Sequence, residues 1–286
     1  MLFKNAPIGI FDSGVGGLSV ARAIRKELPD ERIIYFADQA HVPYGSRTLN
    51  EVRTFAEEIS RFLLHEGVKL IVVACNAASA AALYSLREKF SDISFVGMEP
   101  AVKPAAENTQ SGIVGVLATP ATFQGALYAS VVERFANGVH LLQDTCPGLV
   151  DQIENGELDT LKTEKILERA LNPMLTEGID TVVLGCTHYP FVIPTIQKIC
   201  GPQVRVIDPA PAIAKQVRRL LDNSDLFALP FSSGSLGLSG KRNIRILTSG
   251  SVLNLQKILP VLIGENLPVE RVSWLSSNRL FDHPVD

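Results

Sequence analysis

The sequence predicts an α/β protein. Two pseudo-symmetric domains with mainly parallel sheets flanked by helices are expected, facing each other across a cleft. Short continuous apolar runs alternate with amphipathic segments, as they do when strands are buried on both faces beneath helices. The pattern repeats. IGIFDSG from Ile8 resembles VGVLATP from Val114, and IVVAC ending at Cys75 resembles TVVLGC ending at Cys186, at nearly equal offsets. Of the 286 residues, 46% are hydrophobic, enough for two modest cores.

The elements follow in order. Residues 7–11 (PIGIF) read as the first strand, and DSGVGG (12–17) as a glycine-rich turn into a helix. A second strand, 32–36, leads to the turn-forming loop HVPYGSRT (41–48). Val52, Phe55, Ala56, Ile59, Phe62 and Leu63 then recur at helical spacing. The strand at 69–74 runs into Cys75, with Asn76 the expected N-cap of the next helix. A strand at 94–97 completes the first half. In the second half, strands are expected at 112–118, 139–142, 180–185 and 204–207, with a helix near Pro190–Cys200. The division is therefore 1–97 plus 209–286 for one domain and 98–208 for the other. IRILTSG (244–250) adds a strand and turn, and the Ser/Gly-rich FALPFSSGSLGLSGK (227–241) reads as a mobile loop.

Composition excludes several functions. The net charge is −3 and no basic block occurs, so neither nucleic acid nor an anionic membrane is expected as partner. The N-terminus lacks a signal peptide's charged head and apolar stretch. The most apolar region, 69–83, is broken by Asn76 and Ser79 and is too short to span a bilayer. A cytoplasmic protein is expected. The four cysteines, Cys75, Cys146, Cys186 and Cys200, are then expected as free thiols. No spacing suggests a metal site.

Ligands of open parallel sheets bind beyond the carboxyl ends of the strands. Asp12, Cys75 and Cys186 each stand at such an end, so facing halves would project both thiols into one cleft. Each cysteine also precedes an expected helix, whose positive end lowers a thiol pKa. His188 stands within reach of Cys186 or of a substrate group. The alternative is that each cysteine is a small buried filler. DSGVGG departs from the dinucleotide fingerprint, with Ser19 at the third glycine position. It suits an anion-binding turn with exposed N–H groups, or equally a helix cap made by Asp12 or Ser13. Tyr44, Gly45 and Ser46 would offer a hydroxyl and backbone donors to a substrate carboxylate.

FDSGVGG, PYGSRT, ACNAAS and LGCTHYP, in this order and spacing, resemble the cofactor-independent aspartate/glutamate racemase family. DPAPAIA (208–214) and TCPGLVDQIENGE (145–157) also fit. The resemblance covers nearly the whole chain and is closest to its glutamate racemases. It implies interconversion of L- and D-glutamate for peptidoglycan synthesis, with no cofactor and no metal, by a homodimer. Cys75 and Cys186 correspond to the two catalytic bases, the first acting on the D- and the second on the L-enantiomer. Asp12 corresponds to the residue assisting Cys75; His188 and Glu154 correspond to residues beside Cys186. Ser13, Pro43, Tyr44, Gly45, Ser46, Asn76 and Thr187 correspond to substrate-binding positions, together with Asp12, Cys75, Cys186 and His188. Ala77 stands where the family usually has threonine, so a substrate-binding hydroxyl is absent there. With seven residues ahead of Ile8, no activation through an N-terminal extension by a cell-wall precursor is expected. The alternatives are an aspartate racemase, a hydantoin racemase or decarboxylase of the same fold, an anion-binding module, or a cysteine hydrolase.

Overall fold

A computed structural model describes residues 3–229, 243–275 and 280–282. The strands are β1 (Ile8–Asp12), β2 (Ile33–Ala37), β3 (Leu70–Val73), β4 (Ser94–Gly97), β5 (Ile113–Ala118), β6 (His140–Asp144), β7 (Thr181–Gly185), β8 (Arg205–Ile207), β9 (Ile244–Thr248), β10 (Val269–Trp274) and β11 (Leu280–Asp282). The first sheet has the order β11-β10-β9-β2-β1-β3-β4, and the second β6-β5-β7-β8. All pairings are parallel except β10 with β11. The eight strands expected before residue 208 are present, within a residue or two of their expected bounds.

In each sheet the chain runs from a central strand to a neighbour on one side, then returns to the other side. The first switch point lies between β1 and β3, the second between β5 and β7. Such points open a crevice at the strands' carboxyl ends. Cys75 follows β3 and Cys186 follows β7, so both thiols stand at equivalent switch points.

Helices cover the sheets: α1 (Leu18–Glu27), α2 (Leu49–His65), α3 (Asn76–Lys89), α4 (Val102–Ala106), α5 (Pro120–Gln124), α6 (Ala126–Phe135), α7 (Leu149–Glu154), α8 (Leu161–Thr176), α9 (Ile193–Cys200), α10 (Ala210–Asn223) and α11 (Val252–Ile263). The start of α2 is fixed by a capping box, in which Thr48 and Glu51 each satisfy the other's backbone N–H. The apolar residues expected on its inner face are all buried. The helix expected at Pro190–Cys200 divides into a 3₁₀ turn, Tyr189–Val192, and α9. Asn76 is not the cap of α3; the cap is Cys75, in extended conformation, and Asn76 is the first helical residue. From residue 230 on, the Ser/Gly-rich stretch 227–241 lies outside the described residues.

The chain passes to the second sheet after β4 and returns after β8, where α10 packs on α1 and β4 of the first. One apolar core runs through both halves, from Val15 and Leu18 beside α1 to Tyr189 and Val192 beyond β7. At the end of the first sheet away from the crevice, Lys69 is fully buried, with Nζ 2.5 Å from Glu31 Oε2. It also donates to the carbonyls of Lys4 at 2.6 Å and Leu226 at 2.7 Å. A buried ammonium stripped of water needs every one of these partners.

Removing only one member of that pair leaves an uncompensated buried charge. Lys69→Met is expected to cost about 3–5 kcal/mol in urea unfolding, and adding Glu31→Leu to recover at least half of the loss. A single-variant loss under about 1 kcal/mol would show that water reaches the pair.

Candidate active site

β1 delivers Asp12 to the crevice fully buried. Its Oδ2 accepts the Gly17 N–H at 2.8 Å, closing the glycine-rich turn just ahead of α1. The N-cap of α1 is Gly17, without a side-chain cap bond, so neither Asp12 nor Ser13 is the helix cap; Asp12 instead braces the turn from behind. Burial raises its pKa, against the pull of His188, the Gly17 N–H and the adjoining Cys75 thiol.

Cys75 is 5% exposed. A helix end was expected to lower its pKa, and the Ala78 N–H does pull that way. Burial and the charge of Asp12 act oppositely and win, so the thiol sits well above its ordinary value. The magnitudes explain the outcome. A helix terminus contributes about 0.3–1 kcal/mol, whereas full burial can shift a group by about 3–5 pH units.

The second wall carries a different partner. Cys186 Sγ lies 3.7 Å from His188 Nδ1, and His188 Nε2 lies 2.6 Å from Glu154 Oε1. Burial alone would favour neutral imidazole, but the bonds to Cys186 and Glu154 prevail and raise His188 well above its ordinary value. Burial would likewise raise Glu154; the bonds from His188, Gln39 and the Val15 N–H hold it lowered.

The glycine-rich turn is where the two walls meet. Val15 N–H donates to Glu154 Oε1 at 2.7 Å, so the expected anion-binding turn holds the protein's own carboxylate. A Cβ on Gly14 would strike the Glu154 carboxylate, and one on Gly16 the His188 ring. These glycines admit the opposite half, a requirement unrelated to a dinucleotide.

A cavity of about 20 Å³ lies between the thiols. Its walls include Cys75, Asn76 and Ala77 on one side and Cys186, Thr187 and His188 on the other, with Ser13, Pro43, Tyr44 and Gly45. That volume holds about one water molecule. As it stands the cavity is therefore smaller than an amino acid. Asn76 is 3% exposed and neither its Oδ1 nor its Nδ2 has a partner, an arrangement suited to a polar ligand. Tyr44 lines the cavity, and its hydroxyl donates to Asp38 Oδ2 at 2.6 Å, which commits its proton within the protein. Asp38 is held in turn by Ser249 and Trp274. Ser46 is exposed, bonds the Pro43 carbonyl and is not among the lining residues. Asp12 and Glu154 stand behind the cavity wall, against Cys75 and His188. Thr119 and Thr122, bonded to each other at 3.1 Å, also line the cavity. Thr119 follows β5 as Ser13 follows β1, so the repeat itself points to that strand end.

All four cysteines are free. Among the described residues, no cluster of three or more His, Cys, Asp or Glu side chains is placed to hold a metal ion. Among them, too, no helix is long and apolar enough to cross a membrane.

Because the Asp12 charge helps raise Cys75, Asp12→Asn is expected to move the alkylation of Cys75 by iodoacetamide to lower pH. Mass spectrometry of the alkylated peptide reads the midpoint. An unmoved midpoint would mean that burial alone sets the thiol.

The Asp/Glu/hydantoin racemase family model matches residues 17–217. A glutamate racemase of Roseiflexus sp. (strain RS-1) is 51% identical over 220 residues, 77% of this chain and 81% of its own. That of Stutzerimonas stutzeri (strain A1501) is 44% identical over 265 residues, 93% and 97% of the two chains. The crystal structure of glutamate racemase isoform RacE1 from Bacillus anthracis superposes with a TM-score of 0.82 at 34% identity, covering 94% of this chain and 98% of its own. Glutamate racemase from Francisella tularensis subsp. tularensis SCHU S4, in complex with D-glutamate, superposes with a TM-score of 0.80 at 29% identity, covering 95% and 98%. With strand order, paired switch points and sequence in agreement, the chain belongs to the Asp/Glu/hydantoin racemase family.

Proposed function

We propose that the protein is a glutamate racemase that interconverts L- and D-glutamate by a two-base mechanism and supplies D-glutamate for peptidoglycan. The observation that carries this is the pair of buried thiols at equivalent switch points, lining one cavity from opposite halves. Each thiol has its own titratable partner. Relatives and solved neighbours along nearly the whole chain are glutamate racemases, one of them in complex with D-glutamate.

Inverting Cα requires a proton to leave one face and another to arrive at the opposite face. A single base cannot serve both faces of a fixed substrate, whereas two opposed thiols can. From L-glutamate, the Cys186 thiolate takes the α-proton, and the Cys75 thiol gives its proton to the other face. The product is D-glutamate, with Cys186 now thiol and Cys75 thiolate. The reverse reaction begins from that state. His188 faces Cys186 across the 3.7 Å contact, and Glu154 holds the ring there. Asp12, raised by burial, lies against Cys75 and shares its proton.

The carbanion needs charge stabilisation without a bound electron sink. Backbone N–H groups at the start of α3 and after Cys186 face the α-carboxylate in a site that excludes water. The unpaired Asn76 amide adds a donor and an acceptor. Ala77 supplies its N–H alone.

Cys75→Ser and Cys186→Ser are each expected to cut racemisation by about 10²–10⁴-fold, since each removes a general acid–base group. The assay follows optical rotation and deuterium at Cα for L-glutamate in D₂O without added cofactor. A single variant at full activity would exclude the two-base scheme. Wild-type protein that neither loses rotation nor takes up deuterium would exclude glutamate as substrate, and aspartate would be assayed next.

A further inference from the structure

We propose that Gln39 is a positioning residue for the Cys186 half of the reaction: it locks the Glu154 carboxylate against His188, and so the imidazole against the thiol. This rests on the racemase reading above. Gln39 lies just beyond β2, half-buried, and does not line the cavity.

Its amide is fixed from both ends. Thr248 Oγ1, at the end of β9, donates to Gln39 Oε1 at 2.9 Å. The Gly250 N–H donates to that same Thr248 oxygen at 3.0 Å, so the hydroxyl's own hydrogen is committed to Gln39. With its oxygen engaged, Gln39 presents Nε2 to Glu154 Oε2 at 2.9 Å. The other carboxylate oxygen, Oε1, takes the Val15 N–H at 2.7 Å and meets His188 Nε2 at 2.6 Å. A carboxylate held through one oxygen alone pivots about it. A donor on the second oxygen removes that freedom, which is the usual function of partners behind a reacting imidazole.

The relay crosses the cleft. Thr248 and Gln39 belong to the first half; Glu154, His188 and Cys186 belong to the second. Among the described residues, the carboxylate on the Cys75 side, Asp12, takes its backbone donor from Gly17 of its own turn, with no side-chain donor from the opposite half. Loss of Gln39 is therefore expected to act directly on the Cys186 side.

Gln39→Leu removes both amide bonds with little change of bulk, and Thr248→Val removes only the orienting donor. The equilibrium constant of racemisation is unity, so kcat/KM stays equal in the two directions in every variant. The asymmetry is instead read from isotope effects with each enantiomer deuterated at Cα. In Gln39→Leu, kcat is expected to fall about tenfold with KM within about twofold of wild type. The primary isotope effect is expected to rise for L-glutamate, whose proton goes to Cys186, and not for D-glutamate. Thr248→Val is expected to shift the same quantities in the same direction by less. The His188 Nε2–H NMR resonance needs no substrate and is expected to move upfield in both variants as its bond to Glu154 loosens. Isotope effects rising equally for both enantiomers, or an unmoved resonance, would overturn the proposal. Wild-type protein that leaves glutamate untouched would overturn the racemase reading instead. The resonance would still decide whether Gln39 positions His188.

Discussion

The Glu154 carboxylate is the interaction on which the closed site depends. Taking a carboxylate out of water costs several kcal/mol unless its oxygens are satisfied. Here the partners come from both halves: Val15 and Gln39 from the first, His188 from the second. A second bridge accompanies it, with Ser19 Oγ in reach of the Thr187 carbonyl at 3.0 Å. The same bonds that arrange His188 therefore also tie the two halves together. Gly14 and Gly16 follow from this constraint, because any side chain there would occupy the space of the opposing carboxylate and ring.

Burial of Cys75 reverses a simple expectation. A helix end ordinarily makes a thiol a better thiolate, hence more abundant but less basic. At Cys75, burial and Asp12 override the helix. Under the proposed two-base scheme a thiolate formed there is a stronger base, which matters because the Cα proton is a very weak acid. Closure concentrates these effects, because excluding water strengthens every charge interaction inside.

Much of this was legible in the sequence because it is local. Strands β1 to β9 show as apolar runs, and the thiols show as cysteines ending two of them. β10 and β11 were not read. VERVSW breaks its apolar residues with Glu270, Arg271 and Ser273, and its place is set by pairing with β9 rather than by its own pattern. Tyr44 was assigned to a substrate because a hydroxyl in a Pro-Tyr-Gly loop invites it. Its actual acceptor, Asp38, is organised by Ser249 and Trp274, more than two hundred residues away. Gln39 was silent for the same reason, since its partners at Glu154 and Thr248 become neighbours only once both halves have folded. The N-cap of α3 was misplaced by one residue because asparagine is the commoner cap and the cysteine before it is not.

The two halves repeat a fold and yet equip their thiols differently. Cys75 is backed by a carboxylate, Cys186 by an imidazole that a carboxylate holds. No such difference can shift the equilibrium between mirror-image products, because their free energies are equal. It can act only on barriers and on the protein's own states. Burial and the Asp12 charge hold the Cys75 thiol well above its ordinary value, whereas Cys186 faces a raised His188 at 3.7 Å. Under the proposed two-base scheme the two thiols work from different electrostatic settings, so kcat and KM can differ between directions at one shared kcat/KM.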